Sequence, residues 1–234
     1  MKTKKLIASI LVFAFIGGRC NGLTLARDFE PYKFDSKSGD VTVTQSADGT
    51  KGIFTINNCN ASKLFSFKFN LNPGESLVTA RDYLGEEFDT GEAFVVDENN
   101  VIKKIIDKPW AIDAKGNKIP THFNATANIL TQTVDYSCND SFPITADPNA
   151  WQITMCIAQI STVLLSAALP IAKIVQIKRA IQIAGGLSIF AQLLIGLIMG
   201  TANAATILTA FGPVVLNALL ILTGIGGIIE KCKW

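Results

Sequence analysis

Apolar and polar residues alternate through much of the first two thirds of the chain. In the last third they give way to almost continuous aliphatic runs. Residues 40–57, DVTVTQSADGTKGIFTIN, hold two alternating runs about Asp48-Gly49, which predicts a hairpin. LFSFKFNL, residues 64–71, places Phe65, Phe67, Phe69 and Leu71 on one face, the period-two pattern of a half-buried strand. AFVVDENNVIKKII, residues 93–106, reads as a second hairpin turning at Asn99-Asn100, and NILTQTV, residues 128–134, alternates again. Short strands at this spacing predict an antiparallel β-sandwich of roughly 120 residues.

The period then changes. Ile153 to Leu169 carries no charge and stops at Pro170. From Ile171 to Ala184 one helical face holds Ile174, Ile177, Ile181 and Ala184; another holds Lys173, Gln176, Arg179 and Gln182. Gly185-Gly186 breaks this helix, Leu187 to Met199 is a third apolar segment, and a fourth lies around Pro213 and runs to Leu222. Proline suits a helix start, not its interior. The expected fold class is α+β as two segregated domains: an N-terminal antiparallel β-sandwich and a C-terminal apolar α-helical bundle or hairpin. A bundle this small cannot hide every apolar face. Some of its surface must meet the β domain, another copy of the chain, or a membrane.

Charge sharpens the division. Residues 23–150 hold 12 Lys/Arg against 18 Asp/Glu, net −6; residues 151–234 hold 5 against 1, net +4. The break falls at ADPNAW, residues 146–151, so domains are expected at 23–150 and 151–234. Residues 1–22 read as a signal peptide. Lys2, Lys4 and Lys5 precede a short apolar core, Leu6 to Ile16, and Cys20 and Gly22 suit cleavage before Leu23. Four cysteines then remain: Cys59, Cys138, Cys156 and Cys232. An even count in a secreted chain predicts two disulfides with three connectivities. Two domains that close their own loops would pair Cys59 with Cys138 and Cys156 with Cys232. Sequons at Asn60, Asn124 and Asn139 would carry glycans in a eukaryotic host.

One stretch carries a family resemblance. Pro109, Trp110, Ala111, Asp113, Ala114 and Gly116 form a PWA-D-A-x-G pattern, and Pro120 and Thr121 follow. Leu130, Gln132, Val134 and Asp135 form L-x-Q-x-V-D, and Pro143, Ala146, Asp147, Pro148 and Trp151 complete the order. This resembles a group of secreted two-part proteins of Gram-positive bacteria. In part of that group an apolar helical tail follows, with an early cysteine, a basic stretch before Gly-Gly and a late cysteine. Cys156, QIKRAIQIAGG and Cys232 keep that order. The resemblance implies a secreted two-part protein and carries no activity. The general design, secreted, glycosylatable and apolar-tailed, is also similar to yeast killer toxins.

Enzymatic motifs are missing from the sequence. It has one histidine, His122, and no G-x-S-x-G, H-E-x-x-H or phosphate-cradling glycine loop. Gly224, Gly226 and Gly227 end an apolar helix and read as packing or a bend. The acidic run Asp82, Glu86, Glu87 and Asp89 reads as a solvated face before it reads as a calcium site. Without C-x-x-C spacing or basic residues interleaved with aromatics, neither metal nor nucleic acid is expected as a partner. No cofactor is expected. The leading expectation is a secreted membrane-active toxin whose tail inserts in a target membrane, with self-association through that tail. Lys173, Lys178 and Arg179 would sit at an anionic lipid interface. The alternatives are a membrane-anchored ectodomain and a secreted adhesion or structural module. Lys178-Arg179 is also a dibasic processing signal, unless a folded helix encloses it.

Overall fold

The computed structural model describes residues 29–34, 41–45, 52–147, 150–152 and 155–232. The expected signal peptide, its expected cleavage point before Leu23 and the expected Asp48-Gly49 turn lie outside the described residues. Among the described residues twelve strands precede the main helices: β1 (Phe29–Phe34), β2 (Val41–Gln45), β3 (Gly52–Ile56), β4 (Leu64–Phe69), β5 (Ser76–Thr79), β6 (Ala93–Val96), β7 (Ile102–Ile106), β8 (Trp110–Ile112), β9 (Thr121–Thr126), β10 (Ile129–Val134), β11 (Ile144–Asp147) and β12 (Ala150–Gln152). They form three four-stranded antiparallel sheets, ordered β1-β4-β10-β9, β2-β3-β11-β8 and β12-β7-β6-β5.

Local chemistry accounts for the strands. In β4, Phe65, Phe67 and Phe69 are buried while Leu64 and Lys68 are exposed, so alternation sets the inward face. The Phe65 ring stacks on Phe54 of β3 at 4.1 Å between centroids. The β6–β7 hairpin turns as its sequence predicts. Asp97 Oδ1 accepts from the Asn99 and Val101 N–H groups, and Asn100 takes a positive φ of 60°, a conformation asparagine tolerates. The PWA-D-A-x-G stretch is likewise a turn. Asp113 Oδ1 accepts from Lys115 N and Asn117 N, and Gly116 sits at φ 83°. The Asn117 side-chain amide, then backbone N–H groups, hold the Asp113 carboxyl below the usual aspartate value against the opposing effect of desolvation. Leu130, Gln132 and Val134 all point inward from β10, and Gln132 Nε2 donates to Trp110 O and Thr121 Oγ1. In this chain, these residues of the resemblance build turns and cross-sheet ties.

The six α-helices of the described residues were not all expected where they lie. Thr79 and Asp82 cap a short helix α1 (Ala80–Leu84), followed by a 3-10 turn at Glu86–Phe88. The main helices are α2 (Met155–Leu165), α3 (Ile171–Ala184), α4 (Leu187–Met199) and α5 (Ala204–Thr223), and a last turn forms α6 (Ile228–Lys231). The first tail helix stops at Leu165, short of Leu169. The fourth segment starts at Ala204, where the Asn203 side chain caps Thr206 N. Pro213 does begin a helical piece: Gly212 is non-helical at φ 79° and kinks α5 in two.

Strands occupy the chain through Gln152 and helices follow from Met155, yet in space the halves are not separate bodies. All four residues of β6 are buried. Ala93 and Val95 belong to the apolar core among the sheets, with Phe54, Phe67 and Leu130. Phe94 and Val96, with Ile102, Ile105, Leu84 and Phe88, belong to a second core that continues into Ile160, Ile177, Ile181, Leu187 and Leu219 of the helices. One sheet is thus a shared wall, because apolar helices must bury a face against something. The disulfides follow the chain halves: Cys59–Cys138 and Cys156–Cys232, with Cα atoms 4.9 and 4.5 Å apart.

Candidate functional site at the sheet–helix junction

Two features distinguish the helical half: apolar surface left in solvent, and a polar clasp onto the sheets. α5 has 20 residues and is apolar and long enough to cross a membrane, and only 28% of its most apolar window is buried. Leu208 and Leu220 on α5 are exposed, as are Met155, Ile171, Ile183 and Met199 on neighbouring helices, with Ile171 80% accessible. α3 and α4 meet at an angle of 101° and pass the same test of length and apolarity when taken as one segment. α2 is too short, at 11 residues.

The bend between α3 and α4 is held by residues 80–92. Lys178 Nζ donates to Leu84 O at 2.6 Å and lies 6.0 Å from the centre of the Phe88 ring. Gln182 Nε2 donates to Glu87 O at 2.8 Å. Glu92, 3% exposed, sits against the first turn of α4. Its Oε2 accepts from Leu187 N and Thr90 Oγ1, both at 2.8 Å, and its Oε1 from Ser188 N at 3.3 Å. A side chain from the sheets thereby satisfies helix N–H groups that have no partner within their own helix. Burial pushes the Glu92 carboxyl above the ordinary glutamate value; the Leu187, Thr90 and Ser188 bonds pull it down, and Asp107 pushes it up. Gly186 has φ 142°, and a Cβ there would lie 2.6 Å from Glu92 Oε1. Only glycine fits this approach. A second polar tie joins α2 to the sheets: Ser161 Oγ accepts from Ile102 N at 3.2 Å. Beside it the Tyr83 hydroxyl donates to Asn100 O, and burial raises its pKa to about 12.

The three expected interface cations do not share one environment. Lys173 and Arg179 are exposed, whereas Lys178 is half-buried in the clasp. The Lys178-Arg179 pair lies inside α3, so a protease would have to unwind helix to reach it. Asn60, Asn124 and Asn139 are all exposed. Of the acidic run, Asp82 caps α1 and Asp89 pairs with Arg81 at 3.3 Å. Among the described residues no cluster of His, Cys, Asp and Glu has metal-holding geometry. His122 stands on edge strand β9, 3.7 Å from Asp135, and lines a cleft of about 420 Å³ with Arg81, Asp82, Asp89 and Glu92. Sequence reading missed Glu92 altogether. Its one signal was a lone acid directly before the apolar run AFVV, and nothing in that spacing names a partner 95 residues away. The chain matches no protein-family model and no curated protein.

Proposed function

We propose that this is a secreted membrane-active toxin of the antimicrobial or killer type, whose helical half inserts into a target membrane and permeabilises it. The observation that carries the reading is α5: a twenty-residue helix without a charge, apolar enough to cross a membrane, with only 28% of its most apolar window buried although Leu219 and Leu222 reach the shared core. Exposed aliphatic side chains across one half of a protein mark a membrane or protein contact. The sheets keep the tail soluble or recognise the target, and they become a segregated sandwich once the tail departs. Lys173 and Arg179 are already free to meet anionic headgroups, each worth about 1 kcal/mol near such a surface. Glycans on Asn60, Asn124 and Asn139 would lie on the sheet half, clear of the inserting surface, and exposed tail residues offer a route to self-association.

Dye release from vesicles tests this. Release should be greater from anionic than from neutral vesicles, should fall as salt rises, and should lose its lipid preference when Lys173, Lys178 and Arg179 become Gln. No binding or release from either vesicle sinks the proposal. The length of α5 also favours a second reading, a permanently anchored ectodomain. Fractionation separates the two: a toxin is recovered from the medium, an anchored protein from the membrane pellet.

A further inference from the structure

We infer that the inserting unit is a two-span helical hairpin, residues 180–199 and 204–223, and that residues 80–92 hold its first arm bent until an anionic lipid surface displaces them. This rests on the membrane-active reading and adds its topology and its control.

The topology follows from the second disulfide. Cys156 and Cys232 bracket the apolar helices with Cα atoms 4.5 Å apart. A single crossing by α5 would leave them on opposite sides of a hydrocarbon layer about 30 Å thick. With the bridge intact, the chain must enter and leave on the same side, so the number of crossings is even. α2 is too short to supply the second, which leaves α3–α4. After Arg179 there is no charge until Glu230. Residues 180–199 are 20 in number, as are 204–223, and each reaches about 30 Å as a continuous helix, the second once Gly212 also leaves its non-helical φ of 79°. The link between them is Gly200-Thr201-Ala202-Asn203. Lys178, Arg179, Glu230 and Lys231 then fall together at the entry side, beside the disulfide.

The 101° bend forbids this arrangement in the free protein. Gly185 and Gly186, at φ 94° and 142°, must return to helical values for the first arm to straighten, a change that glycine permits. Glu92 opposes it by binding the N–H groups of Leu187 and Ser188, which in one continuous helix would donate to the carbonyls four residues before them. Residues 80–92 carry Asp82, Glu86, Glu87, Asp89 and Glu92 against one cation, Arg81. Of the α3 cations they engage Lys178, through Leu84 O and the Phe88 ring, while Lys173 and Arg179 stay exposed. An anionic bilayer attracts all three, and Lys178 leaves Leu84 O for a headgroup.

The test uses the full secreted chain with three changes. Thr201→Cys carries an environment-sensitive fluorophore at the hairpin tip. Glu92→Ala removes the catch. A Glu87→Cys/Gln182→Cys pair, oxidised to a disulfide, locks the clasp where the Gln182 side chain already reaches the Glu87 carbonyl. With anionic vesicles, the tip label should be protected from an impermeant quencher outside and reached by one trapped inside. The lock should cut release at least tenfold. Glu92→Ala should lower the concentration for half-maximal release several-fold and, without lipid, speed amide exchange at Leu187 and Ser188. Release with the tip still quenched from outside overturns the hairpin, and a locked protein as active as wild type overturns the clasp; both leave the membrane-active reading standing. Failure of wild type to bind any vesicle removes that reading and the hairpin together. If Glu92→Ala does not fold, the locked variant decides.

Discussion

Phe94→Ala asks whether the two halves of the chain are one cooperative structure. Phe94 lies on β6 with no accessible surface, and its ring meets Tyr83 edge-on at 5.5 Å between centroids. It belongs to the core that runs from the shared sheet into α2, α3, α4 and α5. Truncating a buried phenylalanine to alanine costs about 3–5 kcal/mol, and loss of the aromatic pair accounts for about 1 kcal/mol of that. A domain stability of about 5–15 kcal/mol makes this a large fraction. With a urea slope of about 2 kcal/mol per molar, the midpoint should fall by about 2 M. Two probes separate the halves: far-UV circular dichroism reports mainly on the helices, and fluorescence of Trp110, in a background with Trp151 and Trp234 replaced by Phe, reports on β8. Both midpoints should fall together. A fluorescence transition that shifts while the helical signal keeps its wild-type midpoint would refute the shared core and restore two independent domains.

Three further outcomes follow from the same contacts. Glu92 has a raised carboxyl pKa. Its contribution to stability is therefore fully present below the ordinary glutamate value and is lost as pH rises through the raised one. Asp107 and Lys108 from the β7–β8 loop, and Arg81, Asp82, Asp89 and His122 across the cleft, face the same region. Glu92→Gln should flatten that part of the pH–stability curve, and an unchanged slope would exonerate Glu92. Gly186→Ala should destabilise by several kcal/mol through its positive φ and its clash with Glu92. In a Glu92→Ala background the clash term disappears, so a double-mutant cycle should show coupling above about 1 kcal/mol, and additive costs would deny the contact. Replacing Cys156 and Cys232 by Ser should cost about 4 kcal/mol for a loop of 76 residues, read as a lower thermal midpoint of the helical signal.

Local patterns carried much of this fold in the amino-acid order alone. The alternating phenylalanines of residues 65–69 specify an inward face because a strand repeats every two residues. Asn99-Asn100 specifies its hairpin because a positive φ is needed there. Gly185-Gly186 ends α3 because glycine accepts left-handed backbone. Both cysteine pairings were legible, since each pair lies within one compositional half. The short helix of residues 80–84 was less so: five residues hold too little periodicity to distinguish it from a loop, although Thr79 and Asp82 are the cap. What tertiary structure decided was which apolar faces meet. AFVV shows that β6 is apolar on both sides but not that sheets lie on one side and helices on the other. Lys178 looks like its neighbours Lys173 and Arg179 until Leu84 O and the Phe88 ring are placed beside it. Glu92 is the extreme case. Its partners are N–H groups every residue possesses, so no side-chain identity announces them, and only folding the chain back across 95 residues brings a carboxylate to the bend it holds.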